Sequence, residues 1–397
     1  MKQSSKPGFV YPSVVTIALY YAVLGYLIPA MREKFSLSLA EAGLFSTMQS
    51  IGYFVALALC FCVFPALNKP RVMAVSLVAF TLCLAGMAAV PAMWMLCAIF
   101  FFTGIFVNTI DSLSNAVLAD LAPDTKGRHI GLLQALFSAI GAAAPYFGLL
   151  LGGDYAIVFL CLAAFGLLTL APFGFGLRSE MRRPMLQNPQ GFRTVVKVFR
   201  LFKKPGVPSL AILSFLIMSV QVVPAFFISS CVKSLSGDSG AGALALCMLY
   251  TGAMAGRIIF SRISRRIDPY RIMVVYNILA LAGMAALVFT QDVTTFCLLA
   301  LVPGFGMSAN FPGLVVEACG LIPDDSASAS ALIFLGVNLA VLVTPPLAGL
   351  AGDSLGLQAA FAICSIPLIP VIIMSARLTR HKTAALARTQ CSQSAQL

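Results

Sequence analysis
The sequence predicts an all-α membrane protein: twelve transmembrane helices in two six-helix bundles, with both termini in the cytoplasm. Three observations carry that expectation. The composition is too apolar for water, twelve apolar segments are long enough to cross a bilayer, and the chain repeats itself at half its length. Of 397 residues, 60% are hydrophobic and only 10% charged, against about 25% charged in a soluble protein. An aqueous fold cannot hide so much apolar surface, so lipid is the solvent.

Cutting the chain at Pro, Gly and charge clusters gives the spans in order. They fall near 11–31, 42–66, 72–90, 93–119, 129–151, 155–177, 208–232, 240–262, 271–290, 294–319, 327–350 and 357–376, each able to cross ~30 Å of hydrocarbon. Span one has no small-residue cleavage site and is expected to be a retained helix, not a signal peptide. Span four opens on the only tryptophan, Trp94, an expected interface anchor. Pro29, Gly141, Pro145, Pro224, Gly252, Gly256, Pro312, Pro345 and Pro346 lie within spans, where they let helices approach closely and bend.

Between spans six and seven runs LRSEMRRPMLQNPQGFRTVVKVFRLFKKP, the one long polar stretch. It divides a first bundle, 1–177, from a second, 206–378, with a basic cytoplasmic linker over 178–205 and a cytoplasmic tail over 379–397. The linker's GFRTVVKVFRLFKK portion is a basic amphipathic run, suited to the inner leaflet. The tail after Arg377 is polar and expected to be disordered.

The net charge of +12 is mostly topological. With the N-terminus inside, only Arg32, Lys34 and Lys233 fall in outer loops and Arg257 within a helix; the remaining Lys and Arg lie on the inner side. That excludes nucleic acid as the partner the charge serves and leaves the lipid bilayer. The eleven cysteines include no CxxC pair and mostly lie within apolar helices (Cys83, Cys161, Cys297), as small apolar residues. His129 and His381 fall in loop and tail, and no phosphate-binding loop occurs. No metal, no cofactor and no ATP-driven step is therefore expected. No nucleophile–base set suggests an enzyme. The absence of Asn-x-Ser/Thr sequons fits a bacterial inner membrane.

The half-length repeat is direct. LAGMAAV at 84–90 returns as LAGMAAL at 281–287. At an offset of 200, Gly52 meets Gly252, Arg71 meets Arg271, Met73 meets Met273, Gly104 meets Gly304, Pro123-Asp124 meets Pro323-Asp324, Pro145 meets Pro345 and Gly152 meets Gly352. Two similar bundles would then face each other with a site between them. A slip of two residues in span ten is an alternative register, setting Asn108 opposite Asn310 and Asn115 opposite Glu317.

Six plus six helices, a basic central loop and this repeat resemble the major facilitator superfamily of secondary transporters over about 10–376. GRIIFSRISRRID at 256–268 looks like its cytoplasmic loop motif. The resemblance implies that Gly256 permits helix contact and that Arg257, Arg262, Arg265, Arg266 and Asp268 serve a cytoplasmic gate. The equivalent turn FPALNKPRV lacks the acidic residue. GAAAPYFG at 141–148 partly matches the Gly-Pro motif of antiporters, with Ala144 in place of a Gly. TGIFVNTIDSLSNAVLADLAPD and HIGLLQALFSAIGAAAP are similar to helices four and five of the fucose permease-like branch, which includes sugar/proton symporters with an acidic residue in helix four.

A transporter of this kind needs a polar site at mid-membrane and, if ion-driven, a group there whose protonation can change. Gly104, Asn108, Asp111 and Asn115 share one face of helix four. An ionisable group in hydrocarbon costs about 2.5–3.5 kcal/mol even on the lenient scale, so Asp111 wants a cavity or a partner. It is the first proton-coupling candidate, with Glu317 second; an Asp bonded only to neighbouring helices is the alternative. Tyr21, Gln49, Asn108, Asp111, Asn115, Gln134, Gln221, Tyr250, Asn310 and Asn338 are the candidate substrate-binding residues, because amides, carboxyls and phenols can bond solute hydroxyls. Tyr20 and Tyr26 add to the set on helix one. Glu317 is expected to pair with Arg257 at the inner gate; anion binding by Arg257 is the sharper alternative. The expected function is alternating-access symport of a small polar solute, a sugar being the first candidate, with protons, by a monomer. Rival readings are a drug/proton efflux antiporter, an organic-anion carrier and a non-transporting membrane sensor.

Overall fold
A computed structural model describes residues 7–63, 67–89, 92–121, 126–181, 202–204, 206–264, 266–321 and 326–394. Pro123-Asp124, Pro323-Asp324, Arg265 and most of the basic linker lie outside the described residues. What is described is helical, with no strand. Eleven helices are long and apolar enough to cross a membrane. The expected fifth span coincides with a further helix, Lys126–Leu150, of which Ala139–Leu150 is the apolar part described.

In the first half the helices are α1 (Tyr11–Phe35), α2 (Leu39–Cys62), α3 (Lys69–Ala89), α4 (Met93–Leu121), α5 (Lys126–Leu150), α6 (Tyr155–Gly176) and the single turn α7 (Arg178–Met181). In the second half they are α8 (Val207–Ser236), α9 (Ser239–Ile263), α10 (Pro269–Phe289), α11 (Val293–Leu299), α12 (Leu301–Met307), α13 (Asn310–Leu321), α14 (Ser326–Leu355), α15 (Leu357–Ser365) and α16 (Leu368–Ser394). We call the end bearing the linker the linker end, and the opposite end, with the α1–α2 and α8–α9 turns, the far end.

Local chemistry starts and interrupts these helices. Ser38 and Glu41 form a capping box at α2, while Asp154 and Asp238 cap α6 and α9. The tenth span is one rod in three pieces. Pro303 has no N–H for the Leu299 carbonyl and Pro312 none for that of Ser308, and the breaks fall at Ala300 and at 308–309. The twelfth span breaks before Pro367 in the same way. The tail corrects an expectation: α16 continues beyond the membrane-length segment to Ser394 as helix.

The repeat is now a structural one. Helices α2, α3, α4 and α5 begin at 39, 69, 93 and 126, and their counterparts at 239, 269, 293 and 326. A Cβ on Gly52 would run into the Phe101 carbonyl, and one on Gly252 into that of Leu301. A Cβ on Gly104 would strike the Gln49 carbonyl, and one on Gly304 that of Leu249. The same small-residue crossing thus builds α2 on α4 and α9 on α12. The offset of 200 is the true register, and the two-residue slip is not. Within that register the LAGMAA copies, which are 197 residues apart, stand about one helical turn out of step.

Buried aromatic side chains fill each half, as where Phe45 stacks on Phe100 with centroids 4.9 Å apart. The outer surface stays apolar, with Phe289 85% exposed, as lipid-facing positions require. Trp94 is exposed at the start of α4, where an interface anchor was expected. The halves meet along α2 with α14, α5 with α9 and α1 with α8.

Candidate functional site
The polar groups that join the two halves lie toward the far end. Pro345 and Pro346 withhold the N–H groups that would bond the Val341 and Leu342 carbonyls. Those carbonyls accept instead from Ser46 Oγ and Thr47 Oγ1 of α2, both at 2.8 Å. Beside them a Cβ on Gly43 would sit 2.6 Å from Pro346. Asp353 accepts from the first free N–H groups of α2, those of Leu39 and Ala40, at 2.8 and 2.9 Å. Glu33 pairs with Lys233 at 2.6 Å. At the linker end, by contrast, Lys69–Asp120 (2.7 Å) and Tyr11–His129 (2.5 Å) stay within the first half. Lys382 bonds Asp268 and Glu317, each at 2.7 Å, within the second.

Between these ends, α1, α2 and α4 bring a chain of polar groups together. Tyr20 donates to Gln49 Oε1 (3.1 Å), Gln49 Nε2 to the Tyr53 hydroxyl (2.7 Å), and Asn108 Nδ2 to the Tyr53 carbonyl (3.1 Å). Tyr20 also rests against Tyr21, ring centroids 5.6 Å apart, and Tyr21 faces Phe137 of α5 at 6.0 Å. Tyr21 lies close enough to Asp111 to interact electrostatically, and Asn115 donates to the Asp111 carbonyl at 2.9 Å. Thus Tyr21, Gln49, Asn108, Asp111 and Asn115 gather as one group. Among the described residues, no cation pairs with Asp111.

The other expected residues are placed differently. Asn310 is fully buried and exchanges two amide bonds with Asn277, at 2.7 and 2.9 Å, between α13 and α10. Its amide is spent inside the second half, where an apolar-to-apolar contact between Leu77 and Ile110 would be the equivalent in the first. Tyr250 on α9 meets α5, since a Cβ on Gly141 would lie 3.2 Å from its ring. Gln221 is partly buried on α8. Asn338 on α14 is buried, with Nδ2 lacking a partner among the described residues. The Gln134 side chain is outside the described ones.

The gate needs one correction. Glu317 takes Lys382, not Arg257, because α16 extends far enough to deliver an ammonium between Glu317 and Asp268. Lys382 also stands 5.9 Å over the Tyr270 ring. Arg257 is partly buried and interacts electrostatically with Tyr250. Arg262 and Arg266 are exposed and border an open cavity of about 580 Å³ at the linker end. Gly256 does permit close packing: a Cβ there would lie 2.8 Å from the Phe305 carbonyl. In the first half, where the loop lacks its acidic residue, Lys69 finds Asp120 at the end of α4. Lys382, Asn277 and the Glu33–Lys233 pair went unread in the sequence. The one available signal was that Asp268 and Glu317 both needed a cation.

Long apolar helices arranged as two related halves around a mid-span polar group define a membrane carrier. The Major Facilitator Superfamily model matches residues 10–293 and 210–390, and the chain belongs to that family. Compared one by one with curated protein sequences, it matches none significantly. Among solved structures it is similar to the nucleoside transporter NupG, with a TM-score of 0.77 and 14% identity over 93% of this chain and 98% of that one. It is similar also to a bacterial homologue of the human lysosomal transporter Spinster in its inward-facing, occupied conformation (TM-score 0.77, 14% identity, 96% and 98% covered). The E. coli fucose:proton symporter FucP superposes with a TM-score of 0.64 at 14% identity, over 93% and 97% of the two chains.

Proposed function
We propose that this transporter moves a small polar solute together with protons by alternating access, a sugar being the first candidate, and that Asp111 is the coupling carboxyl. One observation carries the reading. The other acidic residues described within or at the ends of the spans are engaged: Glu41, Asp154, Asp238, Asp292 and Asp353 on helix N-termini, Glu33, Asp120, Asp268 and Glu317 with lysines. Asp111 stands mid-helix beside Tyr21 and the Tyr20–Gln49–Tyr53–Asn108 chain with no such partner. A carboxyl in that setting can take and release a proton as its exposure changes. The same phenols and amides suit the hydroxyls of a sugar or nucleoside.

Lysines and arginines concentrate at the linker end, which supports assigning that end to the cytoplasm. The far-end seams then join the halves at the outer face. In the cycle, solute and proton would enter when those seams part and leave when they re-form. Purified protein in vesicles, given an acid-outside gradient, tests it. Labelled xylose, fucose or uridine should accumulate, and adding the solute without a gradient should make the outer medium more alkaline. Proton-driven expulsion of cationic dyes, with no uptake of these solutes, would support drug/proton antiport instead.

A further inference from the structure
At the far end, α1 and α8 meet at positions related by the repeat. Gly25 packs on the Ala225 carbonyl, and Glu33 pairs with Lys233. Beside that pair opens a cavity of about 500 Å³, lined by Arg32, Glu33, Ser36, Ser230, Lys233 and Ser234. A small cavity of about 20 Å³ adjoins it through Pro29 and Lys233 and is lined by Tyr26. The hydroxyls of Ser230 and Tyr26 are buried, the residues only 4% and 5% exposed, and neither has a partner among the described residues. Buried hydroxyls in native proteins are normally paired, so two left open, Ser230 on the larger cavity and Tyr26 on the small one adjoining it, point to a ligand that pairs them.

The charges narrow the ligand. Asp353 lies close enough to act on Arg32, but both its oxygens accept from α2 N–H groups. Asp238 is likewise spent on Gly240 and Ala241 at the start of α9. Lys34 sits over the Tyr155 ring, 5.8 Å from its centroid. The cavity itself therefore presents two cations, Arg32 and Lys233, against one carboxylate, Glu33. Among the described residues the Arg32 guanidinium gives one bond to protein, from Nε to the Leu37 carbonyl at 3.3 Å, which leaves its forked N–H groups for a planar acceptor. Glu33 is 67% exposed, so its hold on Lys233 is weak and easily exchanged.

We propose that this vestibule binds a small hydroxylated carboxylate with the size and chemistry of a sugar acid. Its carboxylate takes Lys233 and Arg32 in place of Glu33, and its hydroxyls reach Ser230 and Tyr26. The volume lies within the range of small-molecule sites. Binding releases Glu33 from Lys233 and so loosens the α1–α8 link that helps hold the far end shut. The site is separate from the group around Asp111 and goes beyond the transport reading, which neither needs nor supplies an anion site here.

Thermal unfolding of the purified protein with D-glucuronate, at constant ionic strength and with D-glucose as the neutral control, tests the proposal. Glucuronate should raise the melting temperature saturably. Arg32→Gln and Lys233→Gln should each abolish that rise, and any effect of glucose should not depend on either residue. Glu33→Gln removes the competing carboxylate and should lower the half-saturating concentration by roughly two- to fivefold, the factor an exposed ion pair controls. A gain of affinity cannot arise from misfolding, so this variant decides the matter even if a cation variant folds poorly. Asp111→Asn should leave the glucuronate effect intact, which separates this site from the coupling site. No glucuronate effect, an effect indifferent to Arg32 and Lys233, or one lost only in Asp111→Asn would overturn the proposal.

Discussion

At the linker end, the ammonium group of Lys382 answers two carboxylates on different helices, Asp268 and Glu317. Burial works against that ammonium, but its bonds to Asp268 and Glu317 outweigh burial and raise its pKa. A cation held above its ordinary value contributes stability that is complete below the unfolded value, about 10.4, and is lost as pH rises through the folded one. The bridge is therefore lost in alkali, as the ammonium deprotonates, and in acid, as Asp268 and Glu317 take up protons. Lys382→Gln should lower stability by about 1–2 kcal/mol, at the low end because Lys382 is 44% exposed and screened. Melting temperatures of variant and wild type against pH provide the check: the gap should be present at neutral pH and close both in strong alkali and in acid. No gap at neutral pH would contradict this assignment. Helical spacing made Asn108 and Asp111 legible in the sequence, and an amide within an apolar span made Gln49 so. Lys382 was not, because a polar tail after an apolar span carries no mark of whether it continues as helix.

Among the elements, α2 and α14 show how an apparent defect becomes a contact. The consecutive prolines of α14 free two carbonyls, and α2 presents Ser46 and Thr47 to them. Such bonds average about 0.6 kcal/mol in a bilayer, so the double variant Ser46→Ala/Thr47→Ala should weaken the seam by roughly 1 kcal/mol. Hydrogen exchange should then be faster over residues 39–47 and 341–353. Unchanged protection would mean that glycine packing and the Asp353 bonds hold the seam without these hydroxyls. The prolines themselves were visible in the sequence, but their partners were not. A freed carbonyl is satisfied by whichever helix tertiary packing brings alongside. Asn310 shows the same limit. Its spacing matched that of the polar face of α4, yet the phase of a helix does not say whether that face meets the other half or its own. Asn310 turns to Asn277.

For the whole molecule, the offset of 200 sets which features belong to the scaffold and which break it. Gly52, Gly104, Gly252 and Gly304 build matching helix crossings. Asp111 stands where the second half has Phe311, and Glu317 where the first has Val117. The membrane-length helices and the register of the repeat were legible because lipid imposes length and apolarity on each helix and the glycine crossings repeat. The far-end closure was not legible, since one sequence must serve every state of the cycle. The coupling role of Asp111 is the central claim, and reconstituted Asp111→Asn tests it most directly when gradient-driven accumulation and solute counterflow are measured side by side. Coupling through Asp111 predicts that accumulation is lost while counterflow, which needs no net proton movement, persists. Accumulation at the wild-type level in that variant would contradict it.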